Sequence, residues 1–126
     1  MYLYNILTMG DSDVVISRKD FLQMISNNNT PLVFKFGATW CAPCRTINPA
    51  VIAGFNDLEG KAHCFDIDID ESIDLYAFLK SKKMVQGVPT LLGYQKQAGT
   101  YAPTFTVSGG DVEEVKAFFA NCKTLI

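Results

Sequence analysis

Two cysteines separated by two residues, set between a strand-like run and a helical pattern, constrain this chain more than any other feature. The apolar run Leu32-Val33-Phe34-Lys35-Phe36 leads into Trp40-Cys41-Ala42-Pro43-Cys44-Arg45. Cysteines at this spacing close a small disulfide ring if a turn or a helix start holds them together. Pro43 suits the first turn of a helix, where its missing N–H costs nothing. Cys41 then lies just before the helix and Cys44 inside its first turn. The unpaired N–H groups and the positive end of the helix dipole favour a thiolate over a thiol. Such surroundings lower a cysteine pKa from ~8.5 into the range ~3.5–7.5. A thiolate at neutral pH is the nucleophile of dithiol–disulfide exchange.

Two other uses of the pair compete with this one. Structural zinc takes four ligands. The remaining candidates, Cys64, Cys122 and His63, form no second closely spaced pair. Two unrelated core cysteines would not require strand, motif, proline and helix in this order. The redox use accounts for that order, and no metal or cofactor is expected.

Composition narrows the setting. A chain of 126 residues can bury its own core, so residues 1–126 are expected to form one domain. With 48% hydrophobic and 19% charged residues it should fold rather than stay disordered. A net charge of -2 and the lack of a basic cluster argue against nucleic acid as a main partner. Four cysteines are too few for a disulfide scaffold and suit a reducing compartment. Residues 1–9 are apolar through Tyr2, Leu3, Tyr4, Ile6 and Leu7, yet lack a basic start and a small-residue cleavage site. They are also too short to cross a bilayer. Residues 1–12 are expected to be a first strand or a packed extension, in a cytoplasmic, monomeric protein with no membrane attachment.

The rest of the chain alternates regularly. Val14-Val15-Ile16 is strand-like, and Ser17 with Asp20 resembles a capping box for a helix from Arg18 to Ser26. Asn27 to Pro31 breaks that helix. Leu32 to Phe36 reads as a buried central strand holding one charge. A helix from Pro43 to about Leu58 contains Pro49, which should kink it. Ala62 to Ile69 is a strand, with Cys64 in the core. Glu71 to Lys82 is helical, with Ile73, Leu75, Tyr76, Phe78 and Leu79 on its apolar face. Thr90 to Tyr94 and Thr104 to Val107 are strands. Asp111 caps a last helix with Val112, Val115, Phe118 and Phe119 inward. Asp66, Asp68, Asp70 and Glu71 read as a solvated loop, Asp68 and Asp70 capping the next helix. Parallel crossover units, then a hairpin and a closing helix, make an α/β protein: a mixed sheet with helices on both faces.

The sequence resembles the thioredoxin family. The resemblance rests on Phe36-Gly37-Ala38-Thr39-Trp40-Cys41-Ala42-Pro43-Cys44-Arg45, on Pro49, and on Gly87-Val88-Pro89-Thr90. It spans roughly Val14 to Asn121. It implies a central four- or five-stranded sheet, a general protein-disulfide reductase and an NADPH-dependent thioredoxin reductase as electron donor. It makes Cys41 the exposed attacking thiol and Cys44 the buried resolving thiol. Trp40 becomes a flat apolar contact for disulfide-containing protein substrates. Pro89 becomes a cis-proline beside which the Val88 backbone pairs with an extended substrate segment. Ala42 replaces the usual motif glycine, and the stretch from Asp70 to Pro89 is longer than usual. The usual glycine before the last helix is hard to place. The largest departure is Lys35, where the family has a buried acid. Asp66 falls on the neighbouring strand, so a charge-swapped pair, Lys35 with Asp66, is expected beneath the disulfide. With Pro43 it would tune the thiol pKa values. A cation there leaves a more oxidising oxidase or isomerase as the alternative activity, and a non-catalytic peptide-binding module is a third reading.

Overall fold

The computed structural model describes residues 14–126. The elements are α1 (Arg18–Asn27), β1 (Leu32–Gly37), α2 (Ala42–Leu58), β2 (His63–Asp68), α3 (Ile73–Ser81), β3 (Thr90–Tyr94), β4 (Phe105–Ser108) and α4 (Val112–Lys123). Two helix starts follow the expected capping chemistry. The Ser17 hydroxyl accepts the Asp20 N–H at 3.0 Å. The Asp111 carboxylate accepts the Glu113 and Glu114 N–H groups at 2.9 and 3.2 Å.

The four strands form one mixed sheet in the order β2-β1-β3-β4. β1 pairs parallel with β2 and antiparallel with β3, and every one of its residues is buried. That double pairing is why its sequence is a continuous apolar run rather than an alternating one. Leu32, Phe34 and Phe36 point to the α1/α3 side and join Phe21, Phe65 and Tyr94 in one core. The Phe34 ring meets Phe21 edge-on at 5.1 Å and stacks on Phe65 at 5.3 Å. Val33 lies on the opposite side with Ile47, Val51, Leu58, Leu91, Val115, Phe118 and Phe119, under α2 and α4.

Several sequence expectations change. The expected first strand or extension in residues 1–12 lies outside the described residues. Val14 to Ile16 is not a strand; the Ile16 N–H donates to the Ser72 hydroxyl at 3.3 Å instead of to a neighbouring strand. Among the described residues only β1-α2-β2 is a parallel crossover. After α3, residues 82–89 return the chain to the C-terminal end of β1, so β3 runs antiparallel and Thr90 pairs with Phe36. Asp68 and Asp70 do not cap α3. Asp68 instead accepts the Asp70 N–H at 2.8 Å within the turn, and Ser72 holds the N-cap position. Ile73, at the first turn of α3, points outward and is 67% exposed, while Leu75 and Leu79 carry the burial.

α2 and α4 approach tightly at Gly54, where a Cβ would overlap the Phe119 ring of α4. A Gly54→Ala change therefore destabilises. Overpacking costs about 1–3 kcal/mol, more than the ~1 kcal/mol that alanine gains over glycine in a helix. The urea midpoint should fall; an unchanged or higher midpoint would show that α4 shifts freely.

Candidate active site

All of the site's parts come from one end of the sheet. β1 ends at Gly37, and the chain turns through Ala38 and Thr39 into α2. The Cys41 N–H donates to the Ala38 carbonyl at 3.2 Å, and the Arg45 guanidinium donates to the Thr39 carbonyl at 3.1 Å. Cys41 is the N-cap of α2, Pro43 lies in its first turn, and Cys44 is one residue further in. Cys41 and Cys44 are joined as a disulfide, with Cα atoms 5.3 Å apart. The Cys41 sulfur also accepts the Cys44 N–H at 3.2 Å. One of the orphan N–H groups of the helix start thus points at the Cys41 sulfur, where it would favour negative charge. Pro49 lies inside α2, as its sequence position requires.

The expected contrast between an exposed Cys41 and a buried Cys44 is absent in this disulfide state. Both residues are 4% exposed. Each sulfur covers the other, and the exposed neighbours Trp40, Ala42 and Pro43 stand around them. What separates the two cysteines is the helix: Cys41 sits at its mouth and Cys44 within it.

Trp40 is 64% exposed, and its indole N–H donates to the Asp70 carboxylate at 2.8 Å. The ring is therefore held by a residue thirty positions away, a role the sequence reading gave to helix capping. The Val88–Pro89 peptide is cis. Pro89 is tied to the motif through the loop before α4. Its carbonyl accepts the Gly109 N–H at 3.0 Å, and a Cβ on the next residue, Gly110, would lie 3.0 Å from the Pro43 Cβ. Gly110 is thus a glycine that the tight approach to Pro43 demands, and the sequence reading missed it. Only the adjacent glycines before α4 signal it.

Lys35 and Asp66 are register partners on β1 and β2, and their charged groups are 3.2 Å apart. The Lys35 side chain is 8% exposed and that of Asp66 36%. Lys35 does not snorkel to solvent; its amine lies beneath the motif. A Cβ on Gly37 would meet the Lys35 amine at 2.8 Å and the Cys44 sulfur at 3.4 Å. The missing side chain of Gly37 leaves that volume to the two of them.

Cys64 and Cys122 are buried in the α2/α4 core. Burial, and then the charge of Cys122, push the Cys64 thiol up to about 12; burial pushes Cys122 up to about 12 as well. Neither can supply a thiolate near neutrality. Among the described residues no three His, Cys, Asp or Glu side chains converge on a metal-sized site, and no helix is long and apolar enough to cross a membrane.

A helix-capping disulfide at the open end of a two-faced mixed sheet defines a thiol–disulfide oxidoreductase. The family model for Thioredoxin matches residues 12–120, and the chain belongs to the thioredoxin family. The chain is 31% identical over 99 residues to the mitochondrial thioredoxin of Mus musculus, covering 79% of this chain and 55% of that protein. It is 29% identical over 77 residues to a thioredoxin of Rickettsia bellii, covering 61% of this chain and 70% of that one. It spans about half the length of the mitochondrial and chloroplastic relatives it matches. Among solved structures, the thioredoxin of Fasciola hepatica superposes with a TM-score of 0.68 at 23% identity, covering 91% of this chain and all of that one, 100%.

The two thiol pairs should separate in solution. After reduction, an aromatic disulfide reagent at neutral pH should consume two thiols in the native state and all four once the chain is unfolded; four fast thiols in the native state would contradict the burial. Raised pKa values stabilise the fold only while both states hold the proton. The contribution of Cys64 and Cys122 should thus be intact below pH 9.0 and decline toward about 12, read as a falling denaturant midpoint.

Proposed function

We propose that this chain is a general protein-disulfide reductase. The observation that carries the reading is the placement of Cys41 as N-cap, with its sulfur already accepting the Cys44 N–H. The Cys41 thiolate attacks one sulfur of a substrate disulfide. A mixed disulfide forms, and the other substrate sulfur leaves as a thiolate. Cys44 then loses its proton and attacks the Cys41 sulfur. The Cys41–Cys44 bond forms, and the second substrate thiolate leaves. Two electrons pass from the protein dithiol to the substrate.

The substrate would approach over Trp40, whose exposed ring offers flat apolar area. Its backbone would run alongside Val88 and Pro89 in extended form, as an added strand. An NADPH-dependent thioredoxin reductase would return the disulfide to the dithiol. A compartment that keeps thiols reduced suits this cycle, and we assign the chain to the cytoplasm as a monomer. A non-catalytic docking module would have no use for a cysteine pair held at a helix start.

Dithiothreitol-driven reduction of insulin, followed as turbidity, tests the reading. The wild-type chain should accelerate precipitation, and Cys41→Ser should fall to the uncatalysed background. Cys44→Ser should accumulate a mixed disulfide with substrate, visible on a non-reducing gel. A wild-type chain that leaves the rate unchanged would make the docking module the better reading.

A further inference from the structure

The buried ion pair is the feature that the reduction cycle does not use. We propose that Lys35 is a positioning residue for the resolving step: its ammonium, admitted by Gly37 to the underside of Cys44, stabilises the thiolate form and makes the disulfide more oxidising. The proposal rests on the dithiol reading above.

The geometry supports a direct effect. The Lys35 amine and the Cys44 sulfur both border the volume that a Gly37 side chain would fill, at 2.8 and 3.4 Å from it. The charged and titratable groups facing this space are few. Asp66 reaches it from β2 through its ion pair with Lys35, and the Cys44 sulfur, bonded to Cys41, faces it from α2. On β3 the register partner of Lys35 is Leu91; on this side α4 packs Val115, Phe118 and Phe119 together with the Cys122 thiol, and β2 adds the Cys64 thiol, the pKa of both thiols pushed up by burial. Asp66 is partly open to solvent while Lys35 is not, so the cation is the less screened of the pair on the sulfur side.

Its chemical consequence has a definite sign. Reduction of the Cys41–Cys44 bond by two glutathione thiols yields the protein dithiol and glutathione disulfide, with two electrons moving to the protein. A neighbouring cation stabilises the Cys44 thiolate once the reduced state has lost that proton, and gives nothing to the neutral disulfide. The equilibrium therefore moves toward the dithiol. In the forward cycle the same cation eases removal of the Cys44 proton, so the mixed disulfide resolves faster.

An opposite charge within 4–6 Å lowers the pKa of an acid by about 1–3. With Asp66 sharing the ammonium, the lower end applies. Lys35→Met should raise the Cys44 titration midpoint by about one pH unit, read from the ultraviolet thiolate absorbance of Cys44 in a Cys41→Ser background. In the chain with both motif cysteines, at a pH above that midpoint where the dithiol carries the Cys44 thiolate, it should lower the glutathione equilibrium constant for reduction about tenfold, close to 30 mV toward a more reducing potential. Gly37→Ala keeps the charge but fills the volume and displaces the amine; both quantities should move the same way by a smaller amount. It also serves if the methionine variant does not fold. A merely structural lysine would change stability and leave both quantities in place. An unchanged Cys44 midpoint in either folded variant overturns the proposal, and insulin reduction by the wild-type chain is the separate check on the reading beneath it.

Discussion

The double pairing of β1 is the constraint on which the remaining structure depends. A strand bonded on both edges and covered on both faces can tolerate no unpaired polar group. Its residues are therefore apolar, with one exception, and that exception is met by a carboxylate at the same register on β2. The same pairing fixes where the strand stops. β1 gives out at Gly37, at one end of the sheet, and β3 begins opposite that end because Thr90 pairs with Phe36. The loop into α2 and the Val88–Pro89 peptide meet there because the sheet leaves them nowhere else to be.

Chemistry follows from that meeting point. The first turn of α2 has N–H groups with no intrahelical acceptor, and Cys41 takes one of them with its sulfur. A serine or aspartate would fill an N-cap in the same manner; here a disulfide sulfur takes that place. The rest of the site is held by few and specific bonds. Asp70 fixes the Trp40 indole, Gly109 holds the Pro89 carbonyl, and Gly110 lets the loop before α4 settle onto Pro43. Cys64 and Cys122 show the opposite environment. The same functional group, set among apolar side chains away from any helix start, loses its acidity.

Membership of the thioredoxin family and the departure at Lys35 belong together. The family and the fold are those of thioredoxin, and within that fold Lys35 stands where the resemblance implies a buried acid. Electrostatic tuning of a thiol pair needs no change in backbone. A cation with its counter-ion on the next strand is an electrostatic change made without moving the backbone, and in this chain the sheet register brings Lys35 to Asp66.

Local interactions explain what could be read directly from the residues. The capping of α1 by Ser17 and of α4 by Asp111, the proline in the first turn of α2, and the two-residue spacing of the cysteines all concern neighbours within one turn. The buried run of β1 was legible for the same reason, whereas the pairing of Lys35 with Asp66 was implied by the family resemblance. What the tertiary structure alone decided concerns residues far apart in sequence. The antiparallel return of β3, the outward turn of Ile73 and the hold of Asp70 on Trp40 have no local signature. Asn28 is a further case: it reads as a helix breaker, yet its side chain clips the Thr30 and Gln95 carbonyls at 3.0 and 2.7 Å. Propensity and pattern act over one or two turns, whereas such contacts exist only after packing has brought separate elements together.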